Sequence, residues 1–487
     1  MIKMEFCKKC KNLLLGEKKN EKYGWYCRKC NEFFIDDKAE GNIINIEFEK
    51  GDEEISFLDS EELESEKLEN YYKLNKELRK WQLNCFNTWK GSGCQGIIKV
   101  ATGAGKTIFA LKCIEYLKEK SQDLKIAIIV PTKSLMGQWE EKIKKELNPP
   151  LRKVDCFYEG KKSSFYDKDI IIFIINSAIK LRGLEELSKA DFLIVDECHH
   201  APSEQNRQIF LKKFKFTLGL SATPERKYED YSKVLKRGLG RIIYEYDLKK
   251  AIEDGIISTF DLNIAPVKFT TNEYFDYNDL TTEIGRLFGK LNNRGYYNRF
   301  RFGDENTSLR EIERLAKNGN KWARILLSKL WKRRSLLYNA MLKPNLIKKI
   351  VKEENGKIII FSETIEFANN AGDLISSFEN KVGIYHSNMI NRDETLTKYR
   401  NGKIRVLVTV KALDEGLDVP DTDVGIIAAS TRSERQQIQR LGRILRKRPK
   451  KHAKIYILYV QGIEDDDINR KLEGIKKAAS SVSVIKY

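Results

Sequence analysis

Val100-Ala101-Thr102-Gly103-Ala104-Gly105-Lys106-Thr107 is the stretch on which the fold turns. It continues the apolar run Ile97–Val100 and opens the amphipathic stretch Ile108–Leu117. A buried strand that runs through a Gly-rich turn into a helix is the context of a Walker A phosphate loop. The glycines let backbone N–H groups curl around β- and γ-phosphates, Lys106 adds a point charge, and the Thr107 hydroxyl can reach Mg2+. Thr102, Gly103, Ala104, Gly105, Lys106 and Thr107 are therefore expected to hold ATP. The strict pattern places Gly at position 100, where this chain has Val100.

The texture around the loop fits that reading. Short apolar runs bounded by polar turns recur at Ile126–Val130, Ile170–Ile175 and Phe192–Val195. They return at Lys357–Ser362, Ile404–Val410, Val424–Ala429 and Ile455–Val460. Runs of this kind read as strands covered on both faces, with helices between them. The expected fold is α/β, with two doubly wound units built on parallel sheets. Residues of roughly 272–345 differ: they are helical, aromatic and basic, as in Arg294-Gly295-Tyr296-Tyr297-Asn298-Arg299-Phe300-Arg301 and Trp331-Lys332-Arg333-Arg334. Trp322 and Trp331 read as the core of a helical subdomain, and Arg299–Arg301 as phosphate contacts.

Asp196-Glu197 ends the run Phe192–Val195. Carboxylates at the C-terminal ends of parallel strands face the crevice where ligands bind. Asp196 is expected to hold Mg2+ and Glu197 to orient or deprotonate the attacking water. Hydrolysis of a phosphoanhydride needs mainly such positioning and charge neutralisation.

At this point the residues resemble superfamily 2 helicases. Asp196-Glu197-Cys198-His199 resembles the family's motif II, whose relaxed phosphate loop also accommodates Val100. Ser221-Ala222-Thr223 resembles motif III and Val130-Pro131-Thr132-Lys133-Ser134-Leu135 motif Ia, with Asn176-Ser177-Ala178 placed for a further backbone contact. Leu78-Arg79-Lys80-Trp81-Gln82 is similar to the adenine-reading Q motif. Ile360-Phe361-Ser362-Glu363-Thr364 resembles motif IV, and Tyr385-His386-Ser387 the short motif after it. Thr409 with Glu415-Gly416-Leu417-Asp418-Val419-Pro420 resembles motif V, and Gln439-Arg440-Leu441-Gly442-Arg443-Ile444-Leu445-Arg446 motif VI. The wording of motifs III and VI is most similar to the XPB-like branch, although its compact Arg-Glu-Asp motif is not found.

The resemblance covers about residues 78–460 and implies two RecA-like lobes that close on ATP. It implies that Arg79 and Gln82 hold the nucleotide, joined by Gly416, Asp418 and Gln439 from lobe two. It makes Arg443 and Arg446 arginine fingers. It assigns nucleic-acid contacts to Thr132, Lys133, Ser177, Ser362 and Thr409, and coupling of hydrolysis to movement to His199, Ser221 and Thr223. The activity it implies is that of an ATP-dependent DNA helicase or translocase. An RNA helicase shares every ATPase motif, and a translocase working with a partner nuclease is a further alternative.

In front of the motor, Cys7-x2-Cys10 and Cys27-x2-Cys30 stand sixteen residues apart. Two such pairs form a tetrathiolate zinc spacing, read here as a zinc ribbon. Two roles stay open for the ribbon: phosphate contact through Lys8, Lys9, Lys18, Lys19 and Arg28, or the binding of a protein partner. The expected organisation is a ribbon over 1–35, an acidic linker or small addition over 36–76, lobe one over 77–250, lobe two over 251–465 with its insertion, and a C-terminal tail over 466–487.

Composition agrees. The chain has 487 residues, 41% apolar and 33% charged, which excludes a disordered chain. A net charge of +19 favours a polyanionic partner, of which nucleic acid is the commonest, and the resemblance puts DNA ahead of RNA. No apolar run approaches the roughly 18–20 residues of a membrane span, and no secretory signal is read at the start. The expected location is cytoplasmic or nucleoid-associated, or nuclear in a eukaryote. DNA repair is one expected setting.

Overall fold

The computed structural model describes residues 71–485 apart from 151, 204, 225–228, 292–304, 390, 411–421, 430–439, 443 and 446–451, together with three N-terminal strands. These are β1 (Leu15–Lys19), β2 (Lys22–Cys27) and β3 (Glu32–Ile35), an antiparallel sheet in which β1 and β2 form a hairpin. They belong to a separate compact unit, Met1–Lys67.

The rest of the chain carries two seven-stranded sheets, both parallel throughout. The first contains β4 (Ile97–Val100), β5 (Ile126–Val130), β6 (Val154–Phe157), β7 (Ile170–Ile174), β8 (Phe192–Asp196), β9 (Phe216–Ser221) and β10 (Ile242–Tyr246). Their order is β10-β4-β9-β8-β5-β7-β6. Ile126–Val130, Ile170–Ile174 and Phe192–Asp196 are buried at every position, as continuous apolar strands must be when helices cover both faces. Three helices carry or flank the motif residues of this lobe: α1 (Lys80–Gly91), α2 (Lys106–Lys120) and α3 (Lys133–Glu146). A one-turn helix, α4 (Ile175–Ala178), succeeds β7 directly.

The second sheet contains β11 (Thr259–Val267), β12 (Ile358–Ser362), β13 (Val382–Tyr385), β14 (Val406–Val410), β15 (Val424–Ile427), β16 (His452–Val460) and β17 (Ser481–Val484). Its order is β13-β14-β12-β15-β16-β11-β17. Between β11 and β12 rise α5 (Thr271–Leu291), α6 (Glu305–Lys317) and α7 (Lys321–Tyr338), followed by α8 (Lys343–Glu353). The first three share an apolar cluster of their own that includes Ile284, Leu287, Leu291, Ile312 and Leu326. Trp322 packs against that cluster with Lys290 over its ring, at 4.4 Å. Trp331 does not join it and is 46% exposed. Arg299–Arg301 lie outside the described residues.

Two expectations about segments need correction. Residues 466–487 are not a tail: α9 (Asp465–Lys476) leads into β17, which pairs in parallel with β11. That strand, Ser481-Val482-Ser483-Val484, lies exposed at the sheet's edge, so it lacks the apolar run that marks a buried strand. Nor is the segment before residue 77 linker throughout. Tyr72 is 2% exposed, its hydroxyl donates to Asp169 at 2.9 Å, and the Lys118 ammonium lies 4.7 Å above its ring. Burial and the Asp169 carboxylate both raise the Tyr72 pKa, so the phenol stays neutral. The strand β11, which lobe two needs next to β16, carries no apolar run either: its alternating burial reflects polar residues such as Asp261 and Asn263 among the apolar ones.

Candidate active site at the carboxyl ends of the strands

The phosphate loop turns at Gly103 and Gly105, with φ of +88° and +106°. Such left-handed backbone suits glycine because it has no Cβ. Gly105 caps α2, so the first helical N–H groups and the positive end of the helix face the loop. The Thr102 hydroxyl is buried there without a protein partner. Lys106 is the first residue of α2, and Thr107 follows it.

Arg79 and Gln82, at the start of α1, brace this loop. Arg79 Nη1 donates to the Ala104 carbonyl at 2.9 Å, and Gln82 Nε2 to the Gly105 carbonyl at 3.0 Å. Gln82 Oε1 accepts from the Arg79 backbone N–H at 2.8 Å. Both side chains therefore serve the loop first. An amide nitrogen carries two N–H donors, so one Gln82 donor is not used by the Gly105 carbonyl.

Asp196 ends β8 beside this loop, as the parallel sheet requires. It is 6% exposed. Its Oδ1 accepts from the Glu197 backbone N–H and its Oδ2 from the Trp139 indole N–H, each at 2.9 Å. Burial, reinforced by the adjacent Glu197 carboxylate, pushes its pKa up, while Lys106 and the Trp139 bond oppose the rise. Glu197 adopts φ 47°, ψ 50°, a left-handed conformation uncommon outside glycine. The turn aims its carboxylate at Lys106, whose Nζ lies 3.3 Å from Oε1. Burial alone would lower the Lys106 pKa, but the Glu197 and Asp196 carboxylates outweigh it and hold the ammonium charged.

The second Glu197 oxygen continues inward. Oε2 lies 3.4 Å from His199 Nδ1, which is 3.0 Å from Ser221 Oγ. Ser221 Oγ in turn accepts from the Thr223 backbone N–H at 3.1 Å. The three expected coupling residues are thus joined by hydrogen bonds at the end of β9, and Glu197 Oε2 lies beside them without a hydrogen bond of its own. The Thr107 hydroxyl and the Asp196 carboxylate are hard oxygen donors, the type Mg2+ prefers. They fit the ion that accompanies a nucleotide.

Lobe two meets this site through motif VI. Gly442 packs so tightly on the phosphate loop that a Cβ there would lie 2.4 Å from Thr102 Cβ and 2.9 Å from the Thr102 carbonyl oxygen. Its own carbonyl oxygen lies 3.1 Å from where a Gly103 Cβ would stand. Arg440 is fully buried, paired with Glu363 at 2.8 Å and set against the Phe361 ring. It ties motif VI to motif IV. Gly416, Asp418, Gln439, Arg443 and Arg446 lie outside the described residues.

The expected nucleic-acid contacts divide. Thr132 caps α3 through the Leu135 N–H, at 3.3 Å, and Lys133 beside it is exposed. Ser177 and Ser362 are buried, 5% and 0% exposed. Ser362 Oγ is engaged with the Thr409 carbonyl at 3.0 Å, because both residues sit on adjacent, fully covered strands. Thr409 is 1% exposed, and its hydroxyl has no protein partner.

Three structural participants escape a reading of the sequence. Glu363 and Arg440 stand within recognised motifs, but no pattern predicts that they pair. Trp139 lies in no motif and reads as an apolar position on an amphipathic helix. Its indole N–H, which needs a partner when buried, is the available signal.

Comparison with known proteins agrees with this geometry. Residues 75–226 match the family described as "Type III restriction enzyme, res subunit", and residues 342–448 the "Helicase conserved C-terminal domain". The chain is 32% identical over 409 residues to the DNA 3'-5' translocase XPB2 of Sulfurisphaera tokodaii, covering 81% of this chain and 84% of that protein. It is 23% identical over 400 residues to the protein named "Putative DNA 3'-5' helicase Rad25" of Haloarcula marismortui, covering 82% of this chain and 55% of that protein. The helicase domain of Pyrococcus furiosus Hef shares the fold, with a TM-score of 0.51, 20% identity and coverage of 81% of this chain and 97% of that one. The match to XPB2 over most of both chains, together with the two family models, shows that the chain belongs to the XPB-like branch of the superfamily 2 helicases.

Proposed function

We propose that this protein couples ATP hydrolysis to movement along DNA, as a helicase or translocase. The observation that carries the reading is the contact between Gly442 of lobe two and Thr102 of the phosphate loop, which makes the nucleotide site a product of lobe closure. ATP phosphates would take the N–H groups at the start of α2 and the Lys106 ammonium. Glu197 would then orient and deprotonate water. Magnesium, held by Thr107 and Asp196, would neutralise charge on the phosphates. Arg443 and Arg446 would complete the site from lobe two. Closure and release then shift lobe-two contacts relative to Thr132 and Lys133, a hinge between two states biased by the γ-phosphate. The Thr409 hydroxyl, buried and without a protein partner, remains a candidate backbone contact in lobe two.

DNA is favoured over RNA by the DNA activities named for the archaeal relatives. A panel of single-stranded, duplex and forked DNA and matched RNA tests this through ATPase stimulation. DNA should stimulate strongly and RNA weakly; equal stimulation by RNA would favour the RNA-helicase alternative. Stimulation should also need rising DNA concentrations as salt increases, because Lys and Arg release counterions from phosphate.

For the N-terminal unit we propose a zinc ribbon held by Cys7, Cys10, Cys27 and Cys30. The order along the chain supports it: β1 begins five residues after Cys10 and β2 ends on Cys27, so the hairpin's two strands lie between the two pairs in sequence. Metal would stabilise a module too small for its own core. The purified protein should carry about one zinc per chain, and Cys27→Ser should lose it. A zinc-free wild-type protein contradicts the ribbon but not the motor. A protein partner at this module, and a role in DNA repair, follow only as extensions of these readings.

A further inference from the structure

Trp139 joins two parts of the motor that motif positions treat separately. It lies on α3, whose first turn carries the exposed Lys133 and whose cap is Thr132. It is fully buried, and Met136 and Ile143 of the same helix face are buried with it, so the ring has little freedom. Its indole N–H donates to Asp196 Oδ2 at 2.9 Å. The other oxygen, Oδ1, is fixed by the Glu197 backbone N–H. One anchor of the carboxylate therefore comes from the next residue in the chain, and the other arrives from a separate helix. Trp139 stands seven positions after Thr132, about 10 Å along a helix axis at roughly 1.5 Å per residue. A 14-residue helix is stiff over that span.

We propose that Trp139 is a positioning residue: its indole N–H sets the orientation of Asp196 for the divalent cation of the nucleotide, and α3 makes that orientation depend on the nucleic-acid contact at Thr132 and Lys133. The inference rests on the ATPase reading proposed for this site. A core tryptophan that merely satisfies its N–H on the nearest acceptor would have no such effect, and the two cases separate experimentally. Groups that orient a metal ligand typically change metal affinity or activity about 10–100-fold when removed.

The test uses the full chain with Trp139→Phe. A second variant places β-(3-benzothienyl)alanine at position 139, which keeps the shape of the ring and replaces N–H by sulfur. The first readout is binding of a fluorescent ATP analogue in EDTA and across a Mg2+ titration, which needs no hydrolysis. Both variants should bind the analogue in EDTA as the wild type does, yet require about tenfold more Mg2+ for tight binding. The second readout is ATP turnover with and without duplex DNA. The fold-stimulation by DNA should fall in both variants while their DNA affinity holds.

Wild-type Mg2+ dependence in the benzothienyl variant overturns the proposal, whatever Trp139→Phe shows, since shape alone would then suffice. If Trp139→Phe fails to fold, the benzothienyl variant decides. Altered Mg2+ dependence with wild-type DNA stimulation overturns the α3 link. A wild-type protein with no DNA-stimulated turnover marks failure of the motor reading instead, and the Mg2+ titration still decides the orienting role of Trp139.

Discussion

Glu197→Gln is expected to bind ATP and DNA as the wild type does and to hydrolyse ATP about 10^2–10^4-fold more slowly, the contribution of a well-placed general base. The substitution keeps size and shape and removes the charge. Glu197 Oε1 faces the Lys106 ammonium at 3.3 Å and Oε2 faces His199 Nδ1 at 3.4 Å, so the residue sits between Lys106 and the His199–Ser221 pair. A glutamine there keeps one accepting oxygen for the Lys106 ammonium but cannot take a proton from water. Its left-handed backbone is imposed by the turn after β8, so the side chain's aim should survive. Lys106→Ala should also abolish turnover, by removing the charge that answers the phosphates. Single-turnover hydrolysis alongside filter binding of DNA separates the chemical step from binding. Normal turnover by purified Glu197→Gln protein would defeat the motor reading.

Gly442→Ala should lower turnover about 100-fold while leaving each lobe folded, the loss expected when reacting groups move by about an ångström. The added methyl would stand 2.4 Å from Thr102 Cβ and 2.9 Å from the Thr102 carbonyl oxygen, closer than atoms can approach. One neighbour is backbone, so rotating a side chain cannot relieve the clash. The lobes must separate instead, and motif VI withdraws from the phosphate loop. Fluorescent-nucleotide binding should weaken only modestly, because Lys106 and the N–H groups of α2 belong to lobe one. The split between kcat and KM is the readout. Thr102→Gly, which clears the colliding side-chain carbon, should restore part of the rate in the double variant.

How much of this molecule is legible in its sequence depends on whether chemistry and burial coincide. The phosphate loop and the acidic pair are readable because each follows a short, mostly apolar strand, Ile97–Val100 or Phe192–Asp196, the second buried at every position. The edge strand Ser481–Val484 and the mixed strand Thr259–Val267 carry no such run, and their place in the sheet comes from pairing partners far away in the chain. Ser362 illustrates the limit for site residues. Motif position marks it as a contact, whereas its depth in the sheet turns its hydroxyl onto the Thr409 carbonyl. Trp139 shows the converse: periodicity places it in the core, and only the fold reveals that its one polar atom reaches Asp196. Tertiary contacts of this kind leave no local pattern to read.

If turnover at Lys106, Asp196 and Glu197 drives movement along DNA, the protein should displace the third strand of a DNA triplex. A protein advancing along the duplex strips that strand without having to separate the other two, so the readout reports movement rather than unwinding. The wild type should displace it with ATP and Mg2+, and not with a non-hydrolysable analogue. Glu197→Gln should bind the same duplex and displace nothing. Displacement that proceeds equally in the Glu197→Gln variant, or without hydrolysis, would mean that hydrolysis at this site does not power the movement.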